Sequence, residues 1–414
     1  MPTAELFSAF GRIGLMSFGG PAAQISLMHK VLVDEKKWLT EEQFLNALSF
    51  CMMLPGPEAM QLATYSGWRL RGTFGGLIAG LLFVVPGALV IAVLAGVYVT
   101  YGSVPVVASV FLGVKAVVVV IVIDALLRIA GKAFTRPAHR VLAVLSFLAI
   151  FVFHIPFPLI VLTAGLWGWV TAASSNLPTE TAPARVSVTK PVLIWGSLWA
   201  APILGLWAAG AAFLTDLALF FSKLAVVTFG GAYAVLAYMT QEVVVSKGWI
   251  ETEAMIDGLG LAETTPGPLI LVTEFVGFLA GFAAGGLWMA IAAAIVTLWV
   301  TFIPCFLWIF AGAPFIDQLT HAPRFSGALK AITAAVVGVI ANLSLWFAAH
   351  VFFGRLSEVQ IGPARILTPD FASLQPLPAI LAIGAALLMF NLKLSLEKTL
   401  IAGGLAGLAF GIWA

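Results

Sequence analysis

Charge is scarce in this sequence. Only 10% of its 414 residues are Asp, Glu, Lys or Arg, against about 25% in an ordinary soluble domain, while 61% are apolar and mean hydropathy is +1.06. Such a chain cannot clothe a globule in polar surface, so a soluble fold is excluded and a polytopic membrane protein is expected, with the lipid bilayer as its first partner. The net charge of +2 points to no acidic or nucleic-acid partner. Cysteine is nearly absent: Cys51 and Cys305 both sit in apolar surroundings, so no disulfide framework is implied. The histidines (His29, His139, His154, His321 and His350) include no i,i+4 pair. No His-Glu-x-x-His, Gly-x-Ser-x-Gly, Gly-x-x-x-x-Gly-Lys-Ser/Thr or Cys-x-x-Cys occurs either. These absences argue against an enzyme, a metal, a cofactor and ATP-driven transport alike. An intramembrane enzyme acting on lipid-linked substrate would need a nucleophile–base pair or a metal cluster. Residues 1–10 lack a basic region ahead of an apolar core, so the start reads as mature rather than as a signal peptide.

What is present is a phrase said twice. Leu54-Pro55-Gly56-Pro57-Glu58 has its core repeated as Thr265-Pro266-Gly267-Pro268-Leu269, 211 positions later. The same offset carries Phe18-Gly19-Gly20 onto Phe229-Gly230-Gly231, Trp38 onto Trp249, Lys36 onto Lys247, Glu42 onto Glu253, Phe10 onto Phe221 and Arg12 onto the cation Lys223. Further on, Lys115 matches Lys330 at an offset of 215, and Phe153 with its following turn resembles Phe390 with its own. Apolar segments fall at 5–32, 42–68, 73–101, 104–130, 139–154, 157–173 and 191–214, then at 217–244, 252–280, 283–313, 325–350, 376–391 and 396–414. A transmembrane helix needs about 20 apolar residues; the pair 139–154 and 157–173 reads as two thin spans or one helical hairpin.

Seven crossings separate the first segment of one copy from the first of the other, and an odd number makes the second copy enter from the opposite side. The expected fold is therefore an all-α integral membrane protein. It has two inverted-topology repeats of about six segments each, joined by one extra helix, with broken or re-entrant helices at the Gly/Pro motifs. Residues 1–173 form the first repeat, 174–216 a linker and connecting transmembrane helix, and 217–414 the second. Ser174–Lys190, rich in Ser, Thr, Pro and Ala, reads as a flexible linker, and 354–374 as the corresponding polar connector. The first two segments of each repeat fit full crossings or re-entrant hairpins equally. With all thirteen segments crossing, thirteen Lys and Arg collect on one side and six on the other, which places the N-terminus in the cytoplasm. A homodimer is left open.

A Pro-Gly-Pro inside an apolar run breaks the helix, because both prolines lack an N–H and clash with the preceding turn. The resumed helix starts with unpaired amides and the positive end of its dipole, an anion site in the making. Four such breaks in two symmetric pairs (Gly19, Gly20 and Pro21; Pro55, Gly56 and Pro57; Gly230 and Gly231; Pro266, Gly267 and Pro268) are the candidate substrate-binding elements, though a single break also serves as a helix-packing kink. Lys115 and Lys330, early in long apolar helices, complete the candidate binding set. A mid-helix lysine costs about 2.5–3.5 kcal/mol to insert, although each lies near enough to a segment start to snorkel. Arg12 and Lys223 are pathway cations or interfacial anchors. Among the acids in or beside apolar runs (Glu58, Asp124, Glu242, Glu263 and Glu274), Glu58 and Glu263 flank the breaks and are placed to carry a coupling proton. Glu58 also suits the dipole of its own helix, and Asp124 pairing with Arg128 one turn on.

These motifs resemble the long, two-domain form of the chromate ion transporter (CHR) family. The residues that carry the match are Phe18-Gly19-Gly20-Pro21, Trp38, Leu54-Pro55-Gly56-Pro57-Glu58-Ala59-Met60-Gln61-Leu62-Ala63, Phe229-Gly230-Gly231-Ala232-Tyr233 and Ala262-Glu263-Thr264-Thr265-Pro266-Gly267-Pro268. The resemblance spans nearly the whole chain. It implies a protein that exports chromate across the inner membrane, with sulfate as the competing oxyanion, and the alternative of a sulfate or other anion transporter or channel.

Overall fold

The computed structural model describes residues 2–102, 104–172, 188–229, 231–316 and 323–413. Most of the expected linker, and Gly230, lie outside them. The helices in chain order are α1 (Thr3–Met16), α2 (Gly20–His29), α3 (Glu41–Cys51), α4 (Glu58–Tyr101), α5 (Pro105–Ala133), α6 (Pro137–Phe151), α7 (Phe157–Thr171), α8 (Thr189–Ala208), α9 (Ala212–Val227), α10 (Ala232–Thr240), α11 (Thr252–Thr264), α12 (Val272–Gly312), α13 (Pro323–Phe352), α14 (Pro376–Ala386) and α15 (Leu396–Trp413). Among the described residues five stretches are long and apolar enough to cross a membrane: Glu58–Tyr101, Pro105–Ala133, Thr189–Ala208, Leu269–Phe315 and Pro323–Phe352.

The apolar run 5–32 is two helices of 14 and 10 residues, broken at Ser17–Gly19. At about 1.5 Å per residue neither crosses a hydrocarbon core of about 30 Å alone. Glycine at φ 82 ends the break, and Pro21 occupies the first turn, where its missing N–H costs nothing. A capping box between Thr40 and Gln43 starts α3, which stops ahead of the Pro55-Gly56-Pro57 corner.

The long helices α4 and α12 are each helical hairpins. Arg71 (φ −149°, ψ 30°) and Gly72 (φ 62°, ψ −157°) depart from helical geometry in the first, Gly285 and Gly286 (φ 72°, ψ −162°) in the second. Beyond Gly72 the chain turns back: Gly75 packs on the Gly67 carbonyl, and a Cβ on Gly76 would come within 3.0 Å of the Thr64 carbonyl. In the second hairpin Gly281 abuts Met289 and Ala293, and Gly277 abuts Thr297. The left-handed φ at Gly72 and Gly286 makes so tight a reversal possible.

The duplication is legible in backbone detail. π-helical turns follow α2 (Lys30–Glu35) and α10 (Gln241–Ser246) at the 211 offset. Lys37 (φ 53°) matches Gly248 (φ 60°), Gly20 (φ 77°) matches Gly231 (φ 94°), and Gly56 (φ 117°) matches Gly267 (φ 90°). Lys36 lies over Trp38, and Lys247 over Trp249. Near the end of each copy His154 (φ 52°) answers Lys393 (φ 51°), and Ile155 N–H to Ala149 O answers Leu394 N–H to Leu388 O. That register sets Phe151, rather than Phe153, opposite Phe390.

Contacts group the chain into two compact units. One comprises Met1–Ala95, Ala172–Ala232 and Thr265–Ser326; the other comprises Gly96–Thr171, Tyr233–Thr264 and Gly327–Ala414. Each unit draws on both sequence repeats. In the first, α8 packs on the second hairpin through Trp195, stacked at 5.3 Å on Phe306, while most of its other residues are exposed. In the second, α5 and α15 meet along a glycine seam: Gly113 touches Gly403 and Gly407, and Gly411 touches Ser109. Small residues let two helices approach this closely in a bilayer, where packing rather than water drives association.

The polar connector in the second half is more than a linker. Leu356–Ile361 pairs antiparallel with Ala364–Pro369 as the two strands among the described residues, β1 and β2. Gly362 (φ 60°) and Pro363 form a two-residue loop whose Gly-first chemistry suits a hairpin.

Candidate functional site

The four breaks meet in the first unit. The amide of Gly56 donates to Thr228 O at 3.0 Å, and the amide of Gly267 donates to Ser17 O at 2.9 Å. Ser17 and Thr228 are equivalent positions, as are Gly56 and Gly267, so the two bonds are one interaction made twice with the copies exchanged. Each Pro-Gly-Pro corner is thereby tied to the glycine break of the other copy. The Gly56 and Gly267 amides are thus spent, and the helix that resumes after the first corner has the amides of Ala59 and Met60 in its first turn, without an intrahelical acceptor.

Side chains brace the corners. Gln24 Nε2 donates to Gly267 O at 2.7 Å, and Gln61 Nε2 donates to Pro55 O at 2.7 Å. Gln24 Oε1 and Gln61 Oε1 are buried without a partner. A Cβ on Gly56 would come within 2.9 Å of both Cys305 Sγ and Gln61 Nε2. The glycine breaks are more open: a Cβ on Gly20 meets nothing within 4 Å, and one on Gly231 meets only Glu58 Oε1, at 3.9 Å. Glu58 therefore stands beside the second break, while its own helix follows the first.

The candidate cations divide. Arg12 is exposed and paired with Glu35 at 2.9 Å; Lys223 is exposed on α9. Lys115 and Lys330 belong to the second unit. Lys330 is exposed, whereas Lys115 is largely buried and reaches Glu253 at 3.0 Å and Asp257 at 3.6 Å. Tyr98 Oη donates to the same Asp257 oxygen at 2.8 Å, and Asp257 Oδ1 is buried without a partner. These four side chains line a cavity of about 550 Å³ that His350 and Gln375 also border. Lys115 is thus already answered by carboxylates.

Of the acids, Glu263 is fully buried, accepts from Tyr233 Oη at 2.6 Å and leaves Oε2 without a partner. Asp124 pairs with Arg128 one turn away at 2.9 Å. Sequence reasoning passed over Asp257, Tyr98, Gln24 and Gln61. For Asp257 a signal existed, since it lies four residues after Glu253 in an apolar helix. For the glutamines there was none, because their partners are backbone carbonyls set by the fold.

Comparison with known proteins agrees with this internal doubling. A family model described as "Chromate transporter" matches residues 4–169 and again 215–408. A "Chromate transport protein" of Pseudomonas aeruginosa is 30% identical over 415 residues, covering 98% of this chain and 92% of the relative. A "Probable chromate transport protein" of Synechococcus elongatus is 28% identical, covering 85% of each. A Bacillus subtilis protein, "Uncharacterized transporter YwrA", is 33% identical over 171 residues, 41% of this chain but 96% of its own. No solved structure matches. The relatives are named as transporters, none as an enzyme, and this multi-pass membrane chain belongs to the chromate transporter family.

Proposed function

We propose that the chain is a secondary transporter that exports chromate across the cytoplasmic membrane, with its N-terminus inside, and thereby confers chromate resistance. The observation that carries this reading is the reciprocal bond pair, Gly56 to Thr228 and Gly267 to Ser17, which gathers four helix breaks at one place. An interaction repeated with its partners exchanged is the mark of a two-fold relation. Broken helices at a repeat interface are where secondary transporters hold their solutes. Two inverted copies would put that place near mid-membrane.

In this mechanism Pro55, Gly56 and Pro57, with Pro266, Gly267 and Pro268, form the scaffold. The solute is met at the glycine breaks, Gly19, Gly20 and Pro21 in one copy and Gly230 and Gly231 in the other, where the backbone at Gly20 is open and Gly231 has only Glu58 nearby. Each half-helix start carries about half a positive charge, and the amides after each corner supply donors. Glu58, beside Gly231, disfavours an anion there while it is ionised, so its protonation is coupled to the solute; Glu263 is the second candidate for that role. Lys115 and Lys330 are stations on the path, Lys115 yielding its carboxylates as the solute arrives, and Arg12 and Lys223 draw the anion in. An inside-negative potential drives a charge outward by about 2.3 kcal/mol per 100 mV, and a dianion by about twice that. Export therefore needs no nucleotide.

The test is labelled chromate flux in proteoliposomes at clamped potential, with sulfate as competitor. Flux should follow the sign of the potential, and sulfate should compete. Flux indifferent to the potential, or no flux above protein-free vesicles, would sink the reading.

A further inference from the structure

Glu274, Thr297 and Thr301 form a set that the breaks leave unused. All three belong to the second helical hairpin, α12, whose arms face one another where Gly277 meets Thr297 and Gly281 meets Ala293. Glu274 lies one turn before Gly277, and Thr301 one turn after Thr297, on the same facing sides. All three are buried, at 2%, 0% and 1% exposure. Glu274 Oε2, Thr297 Oγ1 and Thr301 Oγ1 each lack a hydrogen-bond partner.

A hydroxyl and a carboxylate on facing helices satisfy one another when they come within reach. Here both types are present and unbonded, so the fold holds them apart. Burying a carboxylate oxygen with nothing to bind is costly, and a buried polar atom left over in this way calls for a ligand.

The internal duplication supplies a control. The corresponding positions of the first hairpin, 214 residues earlier, are Met60, Ala63, Phe83 and Gly87. They stand where the second copy has Glu274, Gly277, Thr297 and Thr301, and the chain still reverses and packs. The oxygens are therefore not needed to build a hairpin, and only the second copy carries them.

We propose that Glu274, Thr297 and Thr301 hold a monovalent cation, the ion exchanged against the oxyanion. The ligands are all oxygen, which suits a hard cation. A single carboxylate balances a single charge, which fits sodium or a proton carried on Glu274. Of the charged residues on the helices packed against this hairpin, Asp216 and Lys223 on α9, Lys190 on α8 and Arg69 and Arg71 on α4 are exposed, and Glu58 at the start of α4 is partly buried. Among the described residues no ion pair reaches Glu274. The site also communicates with the corner: one turn past Thr301, Cys305 Sγ donates to Thr301 O at 3.5 Å, and Cys305 is the side chain against which Gly56 packs. The exchange clause rests on the transport reading above; the cation site does not.

The test begins without oxyanion. The purified full chain is treated with a hydrophobic carbodiimide, which reacts with protonated buried carboxyls, and modification of Glu274 is read by peptide mass spectrometry. It is run across a pH series and with sodium or choline chloride. Protection by sodium identifies sodium; protection by rising pH alone identifies a proton. Modification that is absent, or unchanged across both series, overturns the proposal. Thr297→Val with Thr301→Val, which keeps Glu274, should raise the sodium concentration or lower the pH at half-protection by about tenfold or one unit, equivalent to about 1.4 kcal/mol; an unmoved midpoint overturns the three-residue site. Oxyanion flux is then measured on the same preparations. Cation protection without any flux would refute the transport reading and leave the site standing; normal flux with an indifferent Glu274 would do the reverse.

Discussion

The amide of Gly267 donates to the carbonyl of Ser17 at 2.9 Å, joining a corner late in the chain to a break near its start. Because the same bond runs from Gly56 to Thr228, neither copy completes its own corner. This explains how a helix interruption, which strands backbone groups in a medium without water, is tolerated: the stranded groups of each copy satisfy those of the other.

The corners should therefore be intolerant of side chains. Gly56→Ala and Gly267→Ala force φ values of 117° and 90° on an L-residue, at a cost of about 1–3 kcal/mol, and Gly56→Ala also collides with Cys305 and Gln61. Both variants should melt earlier in detergent and lose chromate flux. Gly20→Ala, at φ 77° but with open space around it, carries the backbone cost without the collision and should lose less stability than Gly56→Ala. Equal melting of Gly20→Ala and Gly56→Ala would contradict the packing argument.

Lys115 should depend on its carboxylates. Lys115→Gln removes the cation that Asp257 and Glu253 share, leaving Asp257, 3% exposed, with the Tyr98 hydroxyl that donates to it. The single variant should be destabilised and the double variant Lys115→Gln with Asp257→Asn partly restored, since removing one buried charge costs more than removing both. A double variant no more stable than the single would break the link.

Tyr233→Phe should leave Glu263 without its 2.6 Å donor. An unsatisfied buried acceptor costs about 1–3 kcal/mol, seen as a lower melting temperature. Glu263→Gln keeps an acceptor for the tyrosine and should melt near the native protein. If it does so yet loses flux driven by a pH gradient, Glu263 carries the proton; unaltered gradient-driven flux would remove it from that role.

The proposed inversion of the two copies, with the segments ahead of Lys36 and Lys247 crossing fully, would put these equivalent residues on opposite sides of the membrane. With Cys51 and Cys305, both buried, replaced by Ala, an impermeant maleimide should label Lys36→Cys in intact cells. Lys247→Cys should be labelled only after permeabilisation. Labelling of both from one side would show parallel copies.

Much of this was legible without coordinates. Membrane class follows from composition, because a chain with so little charge has no soluble option. The doubling follows from an ungapped offset, and the breaks follow from proline and glycine, whose effects are local. Asp124 with Arg128 was readable because one helical turn fixes the neighbourhood. What sequence left open were matters of partnership across long separations. Nothing local says that Gly56 would bond Thr228, that Lys115 would lie between Glu253 and Asp257, or that Glu274 would face Thr297 and Thr301. Nor could it show that each compact unit is assembled from both copies. Secondary structure and its interruptions are written in neighbouring residues, through sterics and missing donors. Which interruption satisfies which, and which buried oxygen is left without a partner, is decided only when distant segments are packed and each polar group must find what it can reach.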